Sequence, residues 1–119
     1  MQHTAHELGR AGEQAAADFL TQQGLEVLYH SYRYGRAEVD LIVRRGQELL
    51  VFVEVKARSS NQFGYPETFV SERKKQLFRL AAEQVQIELD WAGDIRFDIV
   101  AVTPITDGFR VEQFEDAFY

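Results

Sequence analysis

The chain has 119 residues, no cysteine and a formal net charge of −6. This length predicts one domain over residues 1–119, and the lack of cysteine excludes a disulfide framework or a thiolate metal site. No apolar run approaches the roughly 20 residues of a membrane span and the first residues lack a signal-peptide layout, so we expect a cytoplasmic protein with no membrane partner.

The pattern of apolar residues predicts helices and strands that alternate along the chain. Gly24 is a plausible stop for the first helix, and Ser71 is a plausible N-cap for the second. Taken in order, the predicted elements are a helix over 5–23, strands over 25–33, 37–44 and 48–57, a loop over 58–68, a helix over 72–89, a strand over 95–103 and a short edge strand over 109–112.

The connections between these elements predict the sheet. The tight turn at Gly46 makes the second and third strands antiparallel neighbours. The helical crossover after the third strand makes the third and fourth strands parallel. We therefore expect an α/β fold with an αβββαβ core, in which helices flank a mixed sheet.

Charged residues interrupt the apolar strand LVFVEVKAR at residues 50–58. Glu54 and Lys56 share one face of this strand, because strand side chains alternate. Glu38 and Asp40 share a face of the preceding strand, and the hairpin brings the Asp40 region opposite Glu54. The register from the turn is open by a residue or two, and a slip of one residue would reverse the faces.

Two carboxylates within about 4–6 Å repel each other, and one normally takes up a proton. A divalent cation removes this repulsion, and Mg²⁺ is typically held by one or two carboxylates together with phosphate oxygens. Lys56 could then orient or deprotonate a water molecule, or stabilise charge on a phosphate. The alternative is a structural ion pair of Lys56 with Asp40 or Glu38.

Several motifs together resemble a known family. Asp40 followed by Glu54-Val55-Lys56 in an apolar strand resembles the PD-(D/E)XK nuclease superfamily, although Val39 replaces the proline of its motif. The stretches GRAGEQAAADFL, SYRYGRAEVDLI, LVFVEVKARSS, FGYPE, ERKKQL, RFDIVAV and DAFY resemble the YraN-like bacterial proteins, which are similar to archaeal Holliday-junction resolvases.

The resemblance implies a restriction-endonuclease-like fold and assigns roles to four residues. It implies Asp40 and Glu54 as ligands of Mg²⁺ or Mn²⁺, Lys56 as the catalytic lysine, and Glu13 as an acidic catalytic residue beside the metal. On the helical wheel Glu13 lies at or beyond the edge of the apolar stripe, so a solvated helix residue is its alternative. Asp98 alternates with two apolar residues, and we expect it to point outward.

Basic residues are concentrated in the middle of the chain. Residues 29–82 hold ten basic and six acidic residues, whereas residues 83–119 hold two basic and nine acidic residues. This balance predicts weak non-specific binding to nucleic acid. Among the basic residues nearest the expected site in sequence, those that we predict to contact phosphates are Arg33, Arg36, Arg58, Lys74 and Lys75.

These observations favour a metal-dependent endonuclease that hydrolyses DNA phosphodiesters. Branched or structured DNA is an expectation by analogy with the resembled resolvases, and such a substrate would require a homodimer. The alternatives are a non-catalytic module on the same fold that binds nucleic acid or protein, and a structural protein whose strand charges form only ion pairs.

Overall fold

Two helices cover opposite faces of one five-stranded sheet. The computed structural model describes residues 5–57 and 70–118, so the predicted loop over 58–68 and Arg58 lie outside the described residues. The elements are α1 (Ala5–Gln22), β1 (Glu26–Tyr34), β2 (Ala37–Arg45), β3 (Leu49–Ala57), α2 (Glu72–Leu89), β4 (Asp94–Ile105) and β5 (Gly108–Phe114).

The strands lie side by side in chain order, β1-β2-β3-β4-β5. Strands β3 and β4 pair in parallel, and every other neighbouring pair is antiparallel. This arrangement confirms the predicted α/β class, the mixed sheet flanked by helices and the αβββαβ order, which β5 extends. Within the described residues, no helix is long and apolar enough to cross a membrane.

The ends of both helices follow from local chemistry. Gly24 has a φ of +89°, which glycine adopts without steric cost, and its N–H donates to the Thr21 carbonyl at 3.0 Å. At the start of α2, the Ser71 hydroxyl accepts a hydrogen bond from the Lys74 N–H at 3.1 Å. Both predicted helix boundaries are therefore confirmed, and the cap fixes Lys74 in the first turn of α2.

Each face of the sheet has its own apolar core. On the α2 face, Phe78 and Val85 pack with Phe52 and Ile99 of the sheet. On the α1 face, the helix packs mainly through small side chains, and this core contains Ala16, Ala17, Leu20, Leu25, Leu41, Val43, Val51, Val53, Val100 and Val102. Burial of the sheet on both faces explains the nearly continuous apolar sequences of β3 and β4.

Helix α1 approaches the sheet most closely at Gly12. A Cβ atom at this position would lie 2.7 Å from Val102 Cγ2 and 3.0 Å from Ala57 Cβ. Any larger residue would force the helix or the strands to move. The absence of a side chain at Gly12 therefore lets α1 place the next residue, Glu13, close to the end of β3.

The expectation that Asp98 points outward is wrong, because its side chain is fully buried. Its carboxylate accepts two hydrogen bonds from Arg96, at 2.8 and 2.9 Å, and one from Gln113 Nε2 at 2.9 Å. The Asp116 N–H donates to it at 3.0 Å. Alternation along the strand could not reveal these partners, which come from β4, β5 and the segment that follows β5.

Candidate functional site

The site lies where strands β2 and β3 separate. Their paired register ends at Leu41 and Val53. Beyond this pair, β2 continues alongside β1 as far as Ala37, and β3 continues alongside β4 as far as Ala57. The sheet therefore opens into a fork between residues 37–40 and 54–57, and this region is called the fork below.

Asp40 bridges the fork. Its Oδ2 accepts a hydrogen bond from the Val55 N–H at 2.8 Å, so a side chain takes the place of a strand-to-strand backbone contact. Burial, followed by a side-chain hydrogen bond with Glu54, raises the pKa of Asp40 to about 8. The two acids thus meet at one point, in the register that brings the Asp40 region opposite Glu54. Asp40 retains a proton near neutral pH.

Glu54 is the most buried acid of the fork, with only 2% of its surface exposed. Its Oε2 lies 2.8 Å from Lys74 Nζ and 3.5 Å from Lys56 Nζ. While Asp40 is ionised, no hydrogen-bond donor among the described residues reaches Glu54 Oε1. When Asp40 is protonated, its proton can form the hydrogen bond between the two acids. Ionising both acids therefore leaves a buried oxygen in need of a proton or a cation.

Lys56 forms its ion pair with Glu54, two residues earlier on the same strand. The alternative from the sequence was a pair with Asp40 or Glu38. Glu38 instead lies 3.6 Å from Arg33, and both of these side chains are about half or more exposed, at 49% and 76%. The Lys56 ammonium is thus held beside the buried carboxylate of Glu54.

Glu13 reaches the fork from α1. Burial, followed by repulsion from Glu38 and Glu54, raises its pKa, and only His30 acts in the opposite direction. Its half-buried side chain therefore borders the same acidic group, although the helical wheel placed it at or beyond the edge of the apolar stripe. The close approach at Gly12 explains this difference, since it carries α1 toward the end of β3.

The fork can supply few protein ligands to a metal. In the part of the chain that the structure describes, no group of three or more His, Cys, Asp or Glu side chains has an arrangement that could hold a metal ion. Asp40 and Glu54 provide two carboxylates, and Glu54 Oε1 is the buried oxygen without a donor. Mg²⁺ often binds through one or two carboxylates and completes its shell with water and phosphate, so this donor set fits such an ion.

The structure places the predicted phosphate contacts in four different settings. Arg36 is exposed, while Arg33 and Lys75 have carboxylate partners, the latter in Glu72 at 3.2 Å. Lys74 lies within the site on Glu54, and Arg58 lies outside the described residues. Sequence reasoning missed the contact between Lys74 and Glu54; the only local signal for it was the Ser71 cap, which sets the start of α2.

Comparison with known proteins places the chain in a family. Residues 12–102 match the model described as "Uncharacterised protein family UPF0102". The chain belongs to the UPF0102 family. It is 41% identical over 114 residues to UPF0102 protein FP2501 of Flavobacterium psychrophilum, covering 96% of this chain and 95% of that protein. A UPF0102 protein of Pelotomaculum thermopropionicum is 40% identical over 114 residues, covering 93% and 94%.

These UPF0102 matches confirm the family resemblance drawn from the sequence motifs. Among solved structures, the chain is similar to Pyrococcus furiosus SfsA in complex with Ca²⁺. This similarity has a TM-score of 0.38 at 14% sequence identity, and it covers 91% of this chain and 62% of that one.

Proposed function

We propose that the protein is a metal-dependent endonuclease that hydrolyses DNA phosphodiesters at the fork. The observation that supports this most strongly is the meeting of Asp40 and Glu54 in a buried place, where Glu54 Oε1 lacks a donor. When both acids are ionised, Lys74 and Lys56 reach only Glu54 Oε2. A cation held between Asp40 and the unpartnered Glu54 Oε1 would then relieve the remaining repulsion. A structural role alone does not require this costly arrangement, because an apolar pair would fill the same space.

Asp40 and Glu54 would hold Mg²⁺ or Mn²⁺. When bound, the ion would supply positive charge that activates water and stabilises the charge that develops on a phosphate. Asp40 must lose its proton for this role, because metal ligands bind in the deprotonated form. Its raised pKa therefore predicts that binding strengthens as the pH rises toward about 8.

Lys56 and Glu13 complete the proposed site. In hydrolysis, the oxygen of water bonds to phosphorus while the bond from phosphorus to one sugar oxygen breaks. Lys56 is held beside Glu54, where its ammonium can orient the attacking water or stabilise negative charge on the phosphate. Glu13 borders the acids from α1 and can accept a hydrogen bond from that water.

Binding of the DNA backbone is assigned to basic residues near the fork in sequence. Arg33, Arg36, Arg58 and Lys75 are proposed to contact phosphates, and the ion pairs of Arg33 and Lys75 are solvent-accessible enough to exchange for them. Recognition of branched DNA, a homodimer and a cytoplasmic location remain predictions from the sequence.

Calorimetric titration with Mn²⁺ or Mg²⁺ tests the metal site. The unaltered protein should bind the ion, and Asp40→Asn and Glu54→Gln should each abolish binding. Glu112→Gln is a matched control, because it removes an exposed carboxylate on β5 and should bind normally. Binding that survives both substitutions in the fork would reject the site.

Cleavage assays separate the nuclease from its main alternative. Single-stranded, duplex, flap and four-way DNA should be tested with Mg²⁺ and with Mn²⁺. Lys56→Ala should abolish cleavage while it largely preserves metal binding; unchanged turnover would reject the role of Lys56. Metal binding without cleavage of any of these DNAs would favour the non-catalytic binding module.

A further inference from the structure

The nearest cation to buried Glu54 comes from another element of the fold. Lys74 Nζ lies 2.8 Å from Glu54 Oε2, whereas Lys56 Nζ lies 3.5 Å away. The Lys74 side chain is 39% exposed and that of Glu54 only 3%. Lys74 therefore extends from the first turn of α2 into the fork, with part of its length in solvent.

This contact and a bound metal ion compete for the same carboxylate. An ammonium at hydrogen-bonding distance neutralises a buried carboxylate and keeps it oriented. A divalent cation on Glu54 would add to the positive charges that Lys74 and Lys56 already bring to that group, and the cations would repel one another. Glu54 is fixed on a central strand, but Lys74 has a flexible stem and an accessible route to water.

We infer that Lys74 is the cation that neutralises and positions Glu54 before metal binds, and that it leaves Glu54 when a divalent cation takes its place. The inference rests on the proposed function and adds a regulatory element to that site. Lys74 is thus a positioning residue in the metal-free protein. Its released ammonium stays at the fork, where a DNA phosphate is the class of ligand that it would take.

The affinity for metal distinguishes the proposed exchange of Lys74 for a metal ion from a merely structural contact between Lys74 and Glu54. Lys74→Gln should bind Mn²⁺ at least about tenfold more tightly than the unaltered protein, which corresponds to about 1.4 kcal/mol. Lys74→Arg retains the charge and should bind as the unaltered protein does. Lys75→Gln removes the same charge one residue along α2, from an ion pair with Glu72, and should change the affinity less than about twofold.

Resonances of the lysine ammonium groups of the intact protein provide a second measurement, which does not depend on the stability of any variant. Saturating Mg²⁺ should shift or broaden the Lys74 ammonium signal and leave that of Lys75 unchanged. An unmoved Lys74 signal, or an unchanged metal affinity in Lys74→Gln, would overturn the exchange of Lys74 for the metal ion. The proposed function would still stand in that case, provided that Asp40→Asn loses metal binding. Absence of metal binding in both the unaltered protein and Lys74→Gln would overturn both.

Discussion

Asp40 and Glu54 have opposite electrostatic environments in the metal-free site. Glu54 has two lysine ammonium groups close to one oxygen, whereas Asp40 has one backbone N–H and a neighbouring acid. The proton therefore belongs on Asp40, where it relieves the repulsion and gives Glu54 a donor. The two acids of one site thus have different environments, which is an arrangement found where acids perform chemistry.

The raised pKa of Asp40 predicts how stability depends on pH. The folded protein retains a proton up to about pH 8 that the unfolded chain releases near pH 4. Because the folded state binds more protons in this window, the free energy of unfolding should fall as the pH rises from about 4 to 8, by roughly a few kcal/mol. The raised pKa of Glu13 acts in the same direction.

Urea unfolding in the presence of a chelator, repeated across this pH range, measures the effect. Asp40→Asn should reduce the pH dependence, since an amide imitates the protonated acid: its oxygen can accept from Val55 and its NH₂ can donate to Glu54. Glu112→Gln, which alters an exposed acid, should keep it. Equal slopes for Asp40→Asn and the unaltered protein would contradict the assignment.

At the scale of elements, the sequence predicted more of the fold than of the site. The pattern that defines α2 predicted its bounds over residues 72–89. The turn at Gly46 predicted the hairpin but left its register open by a residue or two, and the structure pairs Leu41 with Val53. These features depend on local chemistry, such as caps and turns, and on the periodicity of apolar residues along the chain. The fork itself does not, because strand separation leaves no mark on the alternation of side chains.

The contacts between residues on distant elements could not be predicted from the sequence. Lys74 lies 20 positions beyond Glu54, and Gln113 lies 15 positions beyond Asp98. Whether such pairs meet depends on how α2 packs on the sheet and on how β5 pairs with β4. Glu13 is similar, since its approach to the fork depends on how closely α1 can pack at Gly12.

Gly12→Ala tests this close approach. The added methyl group would lie 2.7 Å from Val102 Cγ2 and 3.0 Å from Ala57 Cβ, so we expect a loss of about 1–3 kcal/mol in the free energy of unfolding. Gly9→Ala is a matched control on the same helix, because a Cβ there meets nothing within 4 Å. It should be neutral or stabilise by up to about 1 kcal/mol. Urea unfolding that ranks the two variants equally would contradict the packing argument.

At the scale of the whole molecule, the segment after β5 closes the α2 face of the sheet. Buried Phe118 stacks on Phe97 with ring centroids 5.6 Å apart and packs against Phe78 at 5.1 Å. The Ala117 N–H donates to the Phe97 carbonyl at 2.8 Å. Together with the hydrogen bond from Asp116 to Asp98, these contacts fix residues 116–118 against the face that α2 covers.

The distribution of charge limits how the proposed DNA substrate can be held. A net charge of −6 opposes a polyanion, and two of the proposed phosphate contacts, Arg33 and Lys75, must first give up carboxylate partners. We therefore expect only about three to five phosphates to be neutralised. Because each contributes a slope of about −0.9 to the dependence of log K on log salt concentration, the total slope should lie between about −2.7 and −4.5.

Fluorescence anisotropy of labelled DNA with Lys56→Ala protein, which should not cleave, measures this slope in Mg²⁺. Adding Arg36→Ala should weaken binding similarly for all sequences and reduce the slope by about 1, because Arg36 is exposed near the fork. Adding Arg110→Ala instead removes an exposed arginine on β5, away from the proposed contacts, and should leave the slope unchanged. A slope steeper than about −8 would require a basic surface that this charge distribution does not provide, and would place DNA elsewhere on the molecule.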